Sequence, residues 1–324
     1  MTIRAPGPPA PVSPVPLAPE AFADFEEPAG PASLRLQIEP LAVELHGLPE
    51  DVADTVHLLH APFVSHASGL TGAASASAPA PLQVQVLRAP FDYFIEPEFH
   101  RKWEVYRAVT AYDGSVFRMM SYRLASWFDP ARQVGQVALA QGTFDPAPRA
   151  LENFLRCATA WLAFRAGGFF LHGASIVRGD RCDVFYGPSG AGKSTLAAMS
   201  RQGRVLSDDL TPILPAAGGL VAIGCPFRGT YRIGEPVVGR FPIAGFYRLR
   251  KDVRTFIEPG NAGCFADLLG NLPWIVDQLA KFPELADSVH AATRGSRFFY
   301  LHFNKEEDFW PAVDRGPVDQ RTSR

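Results

Sequence analysis

Leu34, Leu36 and Ile38 alternate with Arg35 and Gln37, a period of two that predicts a half-buried strand. Residues 42–45 repeat the pattern, and 82–87 do so cleanly, with Leu82, Val84 and Val86 set against Gln83 and Gln85. Residues 52–59 suit a helix, and further strands are predicted at 103–110, 116–124 and 134–139. The period then lengthens. Leu151, Phe154, Leu155, Ala158, Trp161 and Leu162 recur at helical spacing, Pro148 fits a first helical turn, and Gly167 with Gly168 ends the helix near 166. Beyond it the pattern reads as a strand from Phe169 to about Val177, a turn at 178–180, a strand at 182–186 and a helix from about Ser194. A short strand at 204–207 precedes a hairpin of 210–214 and 220–223 across Gly218 and Gly219. Turn-rich sequence runs to about 245, followed by a strand at 246–249, helices between 261 and 292 that Pro273 and Pro283 divide, and a strand at 297–303.

These elements divide the chain into four stretches. Residues 1–32 form a Pro/Ala tail whose prolines disfavour helix and ladder, so it is expected to be unstructured. Residues 33–147 are expected to be a β-rich α+β domain, interrupted by a small-residue loop at 69–81. Residues 148–312 carry the chemistry, and 313–324 are a polar tail just beyond the aromatic pair Phe309 and Trp310.

Composition narrows the function classes. A net charge of −2 argues against nucleic acid or an anionic membrane as the dominant partner. The most apolar run, 158–177, is broken by Arg165, His172 and two glycines, and is too punctuated to span a bilayer. No signal-type stretch opens the chain. Cys157, Cys182, Cys225 and Cys264 are widely spaced without a C-x-x-C pair and read as reduced thiols. A soluble, cytoplasmic protein is expected. A homo-oligomer is compatible with the sequence.

The chemistry begins at Gly187-Pro188-Ser189-Gly190-Ala191-Gly192-Lys193-Ser194-Thr195, a full match to the phosphate-binding P-loop, lying between a predicted strand and a predicted helix. Its glycines let successive N–H groups turn toward phosphate oxygens. Lys193 is positioned to reach the β- and γ-phosphates of ATP, and the Ser194 hydroxyl to coordinate Mg²⁺.

Asp208 and Asp209 leave the strand at 204–207, where a strand-end carboxylate can serve Mg²⁺ or a phosphoryl acceptor. Adjacent side chains leaving a strand alternate in direction, so one can face metal or water and the other a substrate hydroxyl. Alternation leaves open which of the two takes which role. A turn or helix cap is the other use of aspartate there. His172, on the strand before the P-loop strand, reads equally as a packed core histidine or a functional one. His57, His60 and His66 are close in sequence, but their spacing fits no common zinc pattern.

Leu171-His172-Gly173-Ala174-Ser175, the P-loop and Val205-Leu206-Ser207-Asp208-Asp209 together resemble HPr kinase/phosphorylase, and more closely the HPr-kinase-related proteins. The short interval from Lys193 to Asp208 is similar to that family and to the related phosphoenolpyruvate carboxykinase fold. The resemblance covers about residues 148–312. It implies an α/β (α+β) fold with a P-loop core, a mixed sheet and flanking helices. It also implies that His172 lies beside the reacting phosphate and that Asp208 acts as base toward the acceptor, which leaves Asp209 as the candidate for Mg²⁺. The family's metal-ligand glutamate has no counterpart at 226–229, where the sequence reads Pro226-Phe227-Arg228-Gly229; Glu235 follows, and Arg228, Arg232 and Arg240 are candidates for its catalytic arginine. The expected activity is transfer of the γ-phosphoryl of Mg·ATP to a hydroxyl of a peptide or protein serine. The alternatives are a nucleotide-binding scaffold with weak catalysis and, behind it, phosphoenolpyruvate carboxykinase-like chemistry.

Overall fold

The alternating stretches become strands, and the helically spaced stretch becomes the helix on which they pack. The computed structural model describes residues 15–25, 27–66, 80–89, 94–95, 98–100, 103–105, 108–121, 123–140, 147–229 and 235–317. It is a mixed α/β structure with two large mixed sheets and few helices.

The first sheet draws on β1 (Ala32–Ile38) and β2 (Leu41–Leu48), then, after α1 (Glu50–His60), on β3 (Val64–His66) and β4 (Leu82–Ala89). A separate pair, β5 (Glu98–His100) and β6 (Trp103–Val105), precedes β7 (Ala108–Tyr112), β8 (Phe117–Ser121), β9 (Leu124–Asp129) and β10 (Val134–Ala140). Its order is β3-β1-β2-β4-β10-β9-β8-β7, with β4 parallel to both β2 and β10 and the other neighbours antiparallel. Two single strands expected from the pattern each divide: 103–110 into β6 and β7, and 116–124 into β8 and the start of β9. The small-residue loop expected at 69–81 falls mostly outside the described residues.

The tail expected to be unstructured to residue 32 is ordered over much of its second half. Residues Pro19–Asp24 form a 3-10 helix, with Pro19 in its first turn. Phe22 and Phe25 meet edge to face at 5.5 Å and bury against Leu87, Ala89, Met120 and Ala138. Burying two phenylalanines contributes about 1.5–3 kcal/mol each, which offsets the ordering entropy that a count of prolines alone emphasises. Residues 1–14 lie outside the description.

α2 (Ala147–Arg165) is buried on most of its circumference, as suits a helix between two sheets. Trp161 lies 4.3 Å from Tyr112 and 5.6 Å from Phe117, ring to ring, and Phe154 meets Phe128 at 6.0 Å. The helix also packs on β11 (Phe169–Arg178) of the second sheet, so residues on both sides of position 147 share one hydrophobic core.

That second sheet continues with β12 (Arg181–Tyr186), α3 (Lys193–Met199), β13 (Arg204–Ser207), β14 (Leu210–Ala216), β15 (Gly219–Ile223) and β16 (Arg240–Lys251). It ends with β17 (Phe256–Pro259), α4 (Ala262–Leu269), α5 (Glu284–Thr293), β18 (Phe298–Phe303) and α6 (Trp310–Arg315). The order is β12-β11-β14-β15-β16-β18-β17, with β13 added on β11. β16 also pairs in parallel with β12, which closes part of the sheet on itself. β11 makes this possible by pairing with β14 over its first four residues and with β12 from Gly173 on. β16 starts well before the expected 246, and α6 starts at the expected aromatic anchor. There Trp310 Nε1 donates to Ser200 Oγ at 3.2 Å and the Arg178 guanidinium covers the indole at 3.8 Å. All four cysteines are buried and unpaired. Among the described residues no helix is long and apolar enough to cross a membrane.

Candidate functional site

β12 ends at Tyr186 and α3 begins at Lys193, so the loop between them is the P-loop read from the sequence. Gly190 (φ +77°) and Gly192 (φ +105°) are left-handed, which turns the chain sharply into α3. The Gly192 carbonyl accepts the Leu196 N–H at 2.8 Å, and a Cβ on Gly192 would lie 2.5 Å from Phe303 Cζ. Gly192→Ala is therefore expected to lower stability by about 1–3 kcal/mol. Gly190→Ala, with open space around the added Cβ, should lose only about 1 kcal/mol. Urea denaturation of the two variants checks the difference; equal losses would mean that Phe303 moves aside freely.

Lys193 turns back over its own loop. Its Nζ donates to the Gly187 carbonyl at 2.8 Å and to the Pro188 carbonyl at 3.3 Å, and the residue is 7% exposed. Burial holds the ammonium pKa below its ordinary value, and the Arg248 guanidinium pushes the same way against Asp209. Pro188, Ser189, Ser194 and Thr195 are exposed, and Ala191 is half-buried.

A cavity of about 640 Å³ opens over the loop. Its lining runs from His172 through Ser189, Gly190, Gly192, Lys193, Ser194 and Thr195 to a far wall of Lys251, Asp252, Phe303, Asn304 and Lys305. That wall comes from the ends of β16 and β18, which run parallel to each other and to β12. The cavity thus lies beyond the carboxyl ends of three parallel strands, where α/β sheets commonly receive ligands.

The two aspartates part company after β13. Asp208 is 3% exposed, and its Oδ1 accepts the Gly229 N–H at 2.8 Å. A Cβ on Gly229 would stand 2.8 Å from Asp208 Oδ2, so the close approach requires glycine. Neither Asp208 nor Asp209 is among the residues that line the cavity. Asp209 instead has Oδ2 on Arg156 Nη1 at 2.8 Å and Oδ1 facing His172 Nε2 at 3.4 Å. Each oxygen thus has one side-chain neighbour and keeps a further lone pair. Among the described residues, no three His, Cys, Asp or Glu side chains gather as metal ligands. His60 is buried edge-on to Phe227.

His172 joins the site through its strand. Its N–H donates to the Asn271 carbonyl at 2.9 Å, and the next N–H, of Gly173, donates to the Asp209 carbonyl at 2.9 Å. Burial first, then Lys193 and Arg156, hold the imidazole pKa below 6.5 despite the opposing pull of Asp209. The structure thus brings together His172, Lys193 and Asp209, and turns the Asp208 side chain toward Gly229.

The arginine candidates fare differently. Arg228 supplies its backbone carbonyl to Arg156 Nη2 at 3.1 Å, Arg240 and Glu235 do not line the cavity, and Arg232 lies outside the described residues. Two arginines that the sequence did not mark stand nearer. Arg248 pairs with Asp267 at 2.7 Å beside Gly187, and Arg156 reaches Asp209 from α2. For Arg156 a signal existed: Glu152 and Arg156 are an i,i+4 pair and the two charged residues within the apolar stretch from Leu151 to Leu162. Neither protein-family models nor curated proteins give a match to the chain.

Proposed function

We propose that the protein is an ATP-dependent phosphotransferase of the HPr-kinase-related type, with the fold that family shares with phosphoenolpyruvate carboxykinase. It moves the γ-phosphoryl of Mg·ATP onto a serine hydroxyl of a peptide or protein. The observation that carries this reading is the convergence of Lys193 and the Asp209-paired His172 on one cavity over a P-loop.

The triphosphate lies along the loop, with Lys193 leaving the Gly187 and Pro188 carbonyls for the β/γ-phosphate oxygens. The exposed Ser194 hydroxyl would be a protein donor to the Mg²⁺ of Mg·ATP, with Asp209 the nearby carboxylate, and the ion would supply neutralisation of phosphate charge. The acceptor oxygen forms a bond to the γ-phosphorus as the bond from that phosphorus to the β–γ bridging oxygen breaks. ADP leaves with the electron pair. The acceptor proton passes to His172, in the tautomer that would keep hydrogen on Nε2, 3.4 Å from Asp209 Oδ1, and the lone pair on Nδ1. The carboxylate stabilises the imidazolium that results. In the reverse direction the same imidazolium returns the proton.

Burial holds the His172 imidazole below its ordinary value, which favours the neutral base. Protonation removes the lone pair, so the acid limb of the kcat/KM profile, which reports the free protein, is expected on the acid side of the ordinary histidine range. An acid limb that begins above pH 7 would remove His172 from the role of base.

The reading is tested by incubating cell extract with γ-labelled ATP and either the parent protein or Lys193→Ala, then comparing phosphoserine peptides. Acceptors labelled by the parent alone are the expected result. Tight Mg·ATP binding with no labelled acceptor would instead favour a nucleotide-dependent scaffold.

A further inference from the structure

Glu152 and Arg156 interrupt the apolar surface of α2 one turn apart, and they do so opposite the strand-end aspartates. A charge on a helix packed between two sheets is costly unless its donors are met. Here four of the five N–H donors are met. Arg156 Nε and Nη2 donate to Glu152 Oε1 at 2.9 and 2.6 Å, Nη1 donates to Asp209 Oδ2 at 2.8 Å, and Nη2 also reaches the Arg228 carbonyl at 3.1 Å. The Phe227 ring lies 5.6 Å from the guanidinium carbon.

Building on the phosphotransfer reading, we infer that Arg156 is a positioning residue: it fixes the Asp209 carboxylate so that Oδ1 faces His172, and it locks that carboxylate to the 226–229 loop. The loop is gripped from two sides. Asp208 Oδ1 holds the Gly229 N–H, and Arg156 holds the carbonyl of the preceding residue. Glu152 sets the angle of the fork from one turn away on the same helix. A lysine here would keep a cation but could not address a carboxylate on its own helix, a second carboxylate and a backbone carbonyl in fixed directions. A merely structural ion pair would need no such division of donors, and its loss would change stability without changing the behaviour of His172.

The charged groups facing His172 make the inference measurable. Lys193 faces it from α3, Asp209 from the end of β13 and Arg156 from α2. The two cations favour the neutral imidazole and the carboxylate favours the charged one. Removing the Arg156 cation therefore leaves Asp209 less opposed, and the imidazole should hold its proton to higher pH.

The full chain carrying R156M or R156K tests this through three readouts. These are Mg·ATP affinity by calorimetry, the rate of acceptor phosphorylation, and the NMR titration of the His172 ring. Mg·ATP affinity should stay within about two-fold of the parent in both variants, because Arg156 does not line the cavity. The phosphorylation rate should fall about 10–100-fold in both, since neither restores the fork. The His172 midpoint should rise in R156M and stay near the parent value in R156K, which keeps the charge. Parental turnover in either folded variant, or a His172 midpoint unmoved in R156M, overturns the positioning role. If R156M does not fold, the rate and ATP affinity of R156K decide alone. A parent protein without acceptor phosphorylation would sink the phosphotransfer reading, while the His172 titration in R156M would still judge whether Arg156 governs the Asp209–His172 pair.

Discussion

Lys193→Ala is expected to weaken Mg·ATP binding about 10–100-fold and to lower the rate of phosphoryl transfer by about a further 10²–10³-fold. The first figure follows from losing a charge-assisted contact to phosphate, worth about 1.5–3 kcal/mol. The second follows from losing a charge aimed at the oxygens where negative charge builds up during transfer, worth about 2.7–4 kcal/mol. AMP affinity should change far less, because it lacks the β- and γ-phosphates that Lys193 reaches. Alanine leaves the Gly187 and Pro188 carbonyls without their side-chain donor, so some loss of stability is expected as well. Lys193→Arg controls for charge alone. Calorimetry with Mg·ATP and with AMP, beside the transfer assay, separates these effects. Equal ATP affinity in Lys193→Ala and the parent would end the P-loop assignment.

What the chain reveals in advance follows from how local each feature is. The P-loop is contiguous, its glycines answer to backbone geometry within the loop, and the strand and helix flanking it show the ordinary periods. α2 was legible for the same reason, since Leu151 through Leu162 carry its pattern within one segment. β16 was legible only over 246–249, because Pro242 and Gly245 disguise its first part, whose first residues pair with β15 and whose next ones pair with β12. Tertiary pairing there outweighs local preference. The ordered Pro19–Asp24 helix depends on Phe22 and Phe25 finding a sheet face that the tail itself does not encode. The same holds for the site. His172 and the aspartate pair could be named from a motif, but Arg156 meets Asp209 across 53 positions, and the cavity's far wall comes from the ends of β16 and β18. Which of two adjacent aspartates faces His172 depends on the path of the 226–229 loop, and strand alternation alone leaves that open.

That difference sets up the second large effect, which contrasts the two aspartates. Asp209→Asn is expected to lower transfer by about 10²–10⁴-fold, the usual span for a positioned acid/base unit. The amide keeps nearly the same shape but carries no charge for the imidazolium of His172 or for Arg156, and its NH₂ group cannot accept from either. Mg·ATP should still bind, since Lys193 and the loop N–H groups are untouched. Asp208→Asn is the comparison. Its amide oxygen can still accept the Gly229 N–H, so the main expected cost is about 1–3 kcal/mol of stability from the altered buried polar group, with a smaller loss of rate. The family resemblance predicts the opposite ranking, with Asp208 as the base. Transfer rates for both variants, measured well below the unfolding midpoint, decide between the two assignments. A Mg²⁺ titration adds the third case, because a metal ligand would show a raised Mg²⁺ requirement and a rate recovered at high Mg²⁺. If Asp208→Asn is the inactive variant while Asp209→Asn transfers at the parental rate, proton acceptance belongs to the buried carboxylate beside Gly229, and the Asp209–His172 pair has no part in the chemical step.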